Sequence, residues 1–344
     1  MDITFSGEAT TAVVILNWNG RHFLERFLPS VEAYSQLPGV SVIVADNAST
    51  DDSLSCLREH FSRIRIIELD RNYGFAEGYN RALQQIDAEY YVLLNSDVEV
   101  TPGWLPPLIG MMQRKANIAA CMPKIKSEAN RACFEYAGAA GGLMDRYGYT
   151  FCRGRLFDTV EEDTGQYDDE AEVFWATGAC CMVKASLFHE AGGFDECFFA
   201  HMEEVDLCWR WKNAGHTVWY TPESTVYHTG GGMLPKNTPL KMFLNYRNNL
   251  LMLYKNLPQN HRGIIAIRMA LDYASGIYGL LSGKTFIVSV WKAHRAFLKL
   301  KRRYGKFTPP ATFPSCVYHK NVAFRYFIGR KRKYEQLIIK NSIV

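Results

Sequence analysis

Neither a Gly-x-x-x-x-Gly-Lys-Ser/Thr loop nor a Gly-x-Gly-x-x-Gly fingerprint occurs in this 344-residue sequence. Both motifs use glycine-rich backbone to cradle phosphates, so their absence argues against a P-loop NTPase and a nicotinamide dehydrogenase. The nine cysteines form an odd set without a Cys-x-x-Cys pair. That argues against a disulfide framework or a zinc cage and for reduced core thiols in a cytosol. The opening MDITFSGEAT lacks the basic start and apolar run of a signal peptide. One long apolar stretch, residues 263–281, is interrupted by Arg268 and Asp272. A helix lying at an interface is expected there rather than one crossing a bilayer. Acid nearly vanishes from Lys284 to Val344, where fifteen Lys and Arg face the single Glu335. That end carries +14, while the 24 basic and 34 acidic residues before it leave −10. Such a split suggests an acidic catalytic body and a basic tail that meets phosphate. Interleaved with Phe, Tyr, Trp and Leu, the tail fits an anionic membrane surface better than nucleic acid; the bland alternative is a solvated helix face.

What is present is an ordinary globular composition, 48% hydrophobic, long enough for one large domain or a domain with an appendage. TAVVILNW (11–18) reads as a buried strand closed by Asn19-Gly20, with a helical stretch after it bent or interrupted at Pro29. VSVIVAD (40–46), RIRIIEL (63–69) and YYVLLNS (90–96) alternate with helices opened by STDDS (49–53) and spanning 74–86. That alternation implies a parallel sheet with crossovers, whose ligands bind at the carboxyl ends of the strands. Those ends carry Asn17, Asn19, Asp46, Asn47, Asn95 and Asp97. Residues 131–169 show neither a strand nor a helix period and are expected to be loops. Residues 173–183 read as one buried strand, and 217–220 with 225–228 as two short extended pieces.

HMEEVDLCWRW (201–211) places three carboxylates in four positions beside two tryptophans. On a helix starting near Glu203, Glu204 shares a face with Leu207, Cys208 and Trp211, and is expected to point inward. Glu203 and Asp206 fall on another face, solvated and paired, with Arg210 in ion-pair reach of Asp206. An inward carboxylate gains basicity, as a proton acceptor requires; the alternative is an acid favoured by the helix dipole. Asp97 and Asp46 are either turn formers or ligand contacts at strand ends. His228, before three glycines, is either a hydrogen-bonded core residue or a ligand beside a loop that can approach it closely.

Together, VVILNWNG, VIVADNASTDDS, RNYGFAEGYNRAL, LLNSDV, ATGACCMV, GGFDECFFAHMEEVDLCWR and VYHTGGG resemble, in order, the inverting family-2 glycosyltransferases of the GT-A fold. The subgroup most similar is the bacterial one that moves sugars such as rhamnose onto cell-surface polysaccharide precursors. The resemblance implies a Rossmann-like, mostly parallel sheet flanked by helices. It implies that Asn17, Trp18, Asn19 and Asp46 border the nucleotide base, with Asn72, Asn95 and Ser96 also binding nucleotide. Asp97, whose motif has Asn at its first position, would hold Mg2+ or Mn2+, with His228 completing the metal or diphosphate site. Glu204 matches the expected base, and Thr177, Gly178, Asp195 and Glu203 would lie near donor sugar and acceptor. A catalytic domain over 1–239 is expected, with a nucleotide half near 10–125 and an acceptor half near 126–239. A basic helical extension follows over 240–344. The implied donor is a UDP- or dTDP-linked sugar and the acceptor a glycan or polyprenyl-diphosphate-linked precursor. The enzyme would sit in the cytoplasm on the inner membrane face. A sugar nucleotidyltransferase and a non-catalytic nucleotide-binding scaffold are the rivals.

Overall fold

The computed structural model describes residues 10–230, 238–281, 286–304 and 310–338. The first half alternates as its periodicity dictates: β1 (Thr11–Asn17), α1 (Arg21–Tyr34), β2 (Val40–Asp46), α2 (Ser53–His60), β3 (Arg65–Glu68), α3 (Gly74–Leu83) and β4 (Tyr90–Asn95). Every residue of β1 is buried, as expected for a β-branched run sandwiched on both faces. Pro29 does not interrupt α1. The chain continues through β5 (Val98–Val100), α4 (Leu105–Arg114) and β6 (Ile118–Ser127), then four short strands, β7 (Gly142–Asp145), β8 (Thr150–Cys152), β9 (Arg155–Leu156) and β10 (Thr159–Val160). After β11 (Ala171–Val173), β12 (Cys180–Lys184), α5 (Ala185–Glu190), α6 (Glu203–Asn213) and β13 (Thr217–His228) come α7 (Pro239–Asn256), α8 (Gly263–Leu281), α9 (Ile287–Leu300), β14 (Val317–Tyr318) and α10 (Val322–Phe327).

The main sheet runs β11-β13-β6-β12-β4-β1-β2-β3, with β5 added beside β13. Strands β1 to β4, β6 and β13 share one direction, and β5, β11 and β12 oppose it. The order 3-2-1-4 creates a crevice beyond the carboxyl ends of β1 and β4.

Three local expectations change. Residues 131–169 are not only loops: β7 to β10 form a meander, which β14 joins in parallel to β7. Strands of two to four residues are too short to register as a period. Residues 217–228 form one strand, whose register shifts between Thr221 and Thr225; the bulge accommodates Pro222, which has no ladder N–H. Residues 173–183 contain two strand segments in different parts of the sheet, and Thr177–Ala179 between them turn into the crevice.

Residues beyond Leu240 pack onto this body. Leu250, Leu251, Met252 and Leu253 of α7 belong to the same core as β1, as do Phe297 and Val317. The charges interrupting α8 are buried: Arg268 Nε donates to Asp272 Oδ1 (2.7 Å), and His294 Nε2 of α9 lies 3.2 Å from Asp272 Oδ2. Among the described residues, no helix is long and apolar enough to cross a membrane.

Candidate active site

A cleft of about 280 Å³ opens at the carboxyl ends of β1 and β4. Trp18, Asn19 and Gly20 line it from the end of β1, and Asn95, Ser96 and Asp97 from the end of β4. Thr177 and Gly178 enter from the break between β11 and β12, and Glu203 and Glu204 from the first turn of α6. His228 and Gly230 complete it from the end of β13; Gly231 and Gly232 lie outside the described residues. Glu204 and Asp97 therefore share one crevice.

The β1 end is built by side chains that hold backbone. Asn17 Nδ2 donates to Asp46 Oδ1 (3.1 Å) and Ser49 Oγ (3.2 Å), while Ser49 N donates to Asp46 Oδ2 (2.8 Å). Asp46 thus stabilises its own loop, and neither it nor Asn17 lines the cleft. Gly20 is required here, since a β-carbon on it would lie 2.4 Å from Asn17 Oδ1. Asn72 Oδ1 accepts from Asn47 Nδ2 (3.1 Å) and Gly74 N (2.8 Å), which also makes it a loop former away from the cleft. Trp18 is 47% exposed at the cleft mouth, an orientation that leaves its indole face available to a planar ring.

At the opposite wall, His228 stands between two carboxylates. Its Nε2 is 3.1 Å from Asp97 Oδ1 and its Nδ1 3.3 Å from Glu135 Oε2. Burial disfavours the imidazolium, but the two carboxylates outweigh it and push the His228 pKa up to about 10. Among the described residues no cluster of three or more His, Cys, Asp or Glu is arranged to hold a metal. Asp97 and His228 offer a carboxylate and, once a cation displaces the imidazolium proton, a neutral imidazole side by side, a donor pair that fits Mn2+ when substrate oxygens and water supply the other ligands.

The acidic turn corrects the expectation drawn from helical spacing. Glu203 is 4% exposed and Asp206 0%, so neither is solvated. The face assigned to water is covered by α7, a contact that spacing along one helix cannot reveal. Asp206 does pair with Arg210 (2.9 Å), and also accepts from Lys255 Nζ (2.8 Å) and Asn256 Nδ2 (2.8 Å) of α7. Glu203 Oε2 and Glu204 Oε2 are buried without a hydrogen-bond partner among the described residues. Burial, with the neighbouring Glu204 and Asp206 charges, raises the Glu203 pKa well above the usual carboxylate range. Burial also raises Glu204, but the amides of the helix start pull it back, leaving it at about 7. Burial thus raises both carboxyls, and the backbone amides of the helix start favour the ionised form of Glu204.

Asp195 is engaged elsewhere: it accepts from Lys255 Nζ (2.6 Å) and Tyr304 Oη (2.8 Å) and caps the turn at Glu196–Phe198. Lining residues that the sequence did not single out include the polar His22, Glu135, Tyr136, His201 and Lys241. Burial, with the Lys241 charge, lowers the His201 pKa to about 4, so this imidazole is neutral. Only His201 had a local signal, its position two residues before the acidic pair.

Comparison with known proteins agrees with this geometry. The family model described as glycosyl transferase family 2 matches residues 12–190. The chain is 30% identical to N-acetylglucosaminyl-diphospho-decaprenol L-rhamnosyltransferase of Mycobacterium tuberculosis, over 63% of this chain and 75% of that protein. It is 23% identical to rhamnosyltransferase WbbL of Escherichia coli K12, over 63% of this chain and 82% of that one. Among solved structures it resembles GalNAc-T7 with UDP, GalNAc and Mn2+ (TM-score 0.57, 15% identity, 87% of this chain and 59% of that one). It also resembles the mannosyltransferase PcManGT of Pyrobaculum calidifontis with GDP-Man and Mn2+ (TM-score 0.53, 14% identity, 86% and 88%). With a crevice at the carboxyl ends of its strands, a mostly parallel sheet and a family match over more than half its length, the chain belongs to glycosyl transferase family 2 and has the GT-A fold.

Proposed function

We propose that this glycosyltransferase moves a hexose, rhamnose being the first candidate, from a UDP- or dTDP-linked donor to a hydroxyl of a polyprenyl-diphosphate-linked glycan precursor. The observation that carries this reading is Glu204, poised near pH 7, in the same cleft as Asp97 and His228. The printed activity of the Mycobacterium tuberculosis relative supports the acceptor class and the sugar.

The reaction is a single displacement with inversion. Glu204 takes the proton of the acceptor hydroxyl as that oxygen attacks the anomeric carbon. The bond from that carbon to the donor phosphate oxygen breaks, and nucleoside diphosphate leaves with the electron pair. Glu203, whose burial disfavours its charged form, lessens the negative charge beside the base. Trp18 stacks on the nucleotide base, while Thr177 and Gly178 border the sugar. Asp97 and His228, the latter after losing its proton, would hold Mg2+ or Mn2+, which would supply positive charge to offset that of the leaving diphosphate.

The same reading places the enzyme on the inner face of the membrane. Phe324 and Ile328 of the α10 region are 62% and 68% exposed, next to Arg325 and the basic run Arg330–Lys333. Aromatic and aliphatic groups beside cations suit an anionic lipid surface. A panel of nucleotide sugars, offered with Mn2+ and a short-chain prenyl-diphosphate N-acetylglucosamine, tests the activity. Transfer from one donor, abolished by Glu204→Gln with nucleotide binding retained, is the expected result. Nucleotide binding without transfer or donor hydrolysis across the panel would favour a scaffold instead.

A further inference from the structure

The residues just before the acidic pair follow a course that few side chains adopt unaided. Phe199, His201 and Met202 all have left-handed backbone, with φ of 64°, 70° and 72°. Such conformations persist where the surroundings over-determine them, often where a side chain must be aimed. Here the surroundings come from the middle of α7. Asn248 is fully buried and points its amide at three carbonyls, those of Phe198 (2.9 Å), Ala200 (2.9 Å) and His201 (2.7 Å). Arg247 donates from Nη2 to the carbonyls of Cys197 (2.9 Å) and Phe198 (3.0 Å). Its Nε donates to Asn248 Oδ1 (2.8 Å), which turns the Asn248 amide group toward the loop.

We propose that Arg247 and Asn248 are positioning residues for the proton acceptor: they hold the loop before α6 in its left-handed course, so that Glu203 and Glu204 enter the cleft together. The proposal rests on Glu204 being the base. The body of α6 is secured independently, by Asp206 to Arg210, Lys255 and Asn256 and by the buried Trp209 and Trp211. Loss of the clamp therefore leaves the helix in place and releases only its first turn. Met202, freed from left-handed geometry, relaxes and swings the following two side chains away from the acceptor. Misplacement by about 1 Å lowers turnover by about 100-fold.

The test uses Arg247→Gln, Arg247→Lys and Asn248→Ser in the full chain, with dTDP-L-rhamnose, Mn2+ and the short-chain prenyl-diphosphate acceptor. The expected result is a kcat reduced about 100-fold, with donor KM and dTDP affinity unchanged and a cooperative melting transition retained. Arg247→Lys, which keeps a donor, recovers part of kcat. In a Glu204→Gln background, Arg247→Gln removes nothing further, because the clamp acts only through the base. Full turnover in the clamp variants, nucleotide affinity falling in step with kcat, or additive losses in the double variant would each overturn the clamp. Should Asn248→Ser fail to fold, the half-buried Arg247 carries the same comparison. Wild-type turnover in Glu204→Gln alone would remove the base assignment and the clamp with it. An inactive Glu204→Gln beside fully active clamp variants removes the clamp only.

Discussion

Asp97 Oδ1 lies 3.1 Å from His228 Nε2, although 131 positions separate the two residues. The sheet imposes this meeting: β5 pairs antiparallel with the end of β13, with His228 opposite Val98. A strand of three residues thus delivers a carboxylate to an imidazole at the far edge of the cleft. Asp97→Asn keeps the shape and removes the charge. Transfer is expected to fall about 10²- to 10³-fold, the size of losing one group that stabilises transition-state charge. Initial rates across a Mn2+ titration check it, and a rate unchanged at every concentration would contradict the role.

Glu204 sets the acidic limb of the pH–rate profile. Its pKa is raised to about 7, so the base is lost as pH falls below neutrality, and kcat/KM drops tenfold per unit from there. Stability moves the opposite way. A carboxyl whose folded pKa exceeds its unfolded value favours the native state at low pH, and that gain disappears as pH rises through 7. Glu204→Gln removes the cost of ionisation, so its melting temperature exceeds that of the unaltered chain at pH 8 and converges with it near pH 5. The free-energy difference at pH 8 is at most about 3 kcal/mol. Thermal melts at the two pH values decide the matter.

Lys255 stands between two acids, Asp195 (2.6 Å) and Asp206 (2.8 Å), and is almost wholly buried. Lys255→Met removes the shared cation from two poorly solvated carboxylates, leaving Asp195 with Tyr304 and Asp206 with Arg210 and Asn256. Breaking such a pair costs about 3–5 kcal/mol. Urea denaturation at neutral pH should show that loss, and a variant as stable as the unaltered chain would contradict it.

Trp18 contributes little to the core because nearly half its surface is exposed. Trp18→Ala is expected to leave the melting temperature nearly unchanged and to weaken nucleoside diphosphate binding about tenfold, as loss of base stacking does. Calorimetric titration of UDP and dTDP measures both the loss and the preferred base.

Membrane attachment is tested by surface change rather than truncation, since α7, Phe297 and Val317 belong to the main core. Phe324→Ser with Ile328→Ser should release the chain from phosphatidylglycerol vesicles while transfer to a soluble acceptor persists. Cosedimentation equal to that of the unaltered chain would place the lipid contact elsewhere.

Much of the nucleotide half was legible because each piece is local. β1, β2 and β4 are continuous apolar runs, and the polar residues ending them mark the crevice. Glu204, Asp97 and His228 were singled out at element ends and given their expected roles by the family resemblance, and the structure brings all three to one cleft. What sequence could not show is long-range packing. Asp206 looks solvated on a helical wheel and is buried because α7 arrives from fifty residues away. Asp195 and Asp46 look available, yet Lys255 and Ser49 engage them. Glu135 sits where strands are too brief to produce a period, and Lys241 reaches the cleft from a helix that shows only an amphipathic face.

β14 reaches back to lie beside β7, and Val322 N donates to Asp145 Oδ2 (2.9 Å) across 177 positions. During synthesis, therefore, the Met144–Asp145 end of that edge waits for its partner until residue 318, whereas Gly142 is paired earlier, by Trp175. The meander acquires its fifth strand only after residue 318 has been made. Non-local pairing of this kind is slow. Premature termination near the C-terminus would thus leave an open strand edge that invites aggregation, even though every residue of the cleft had already been translated.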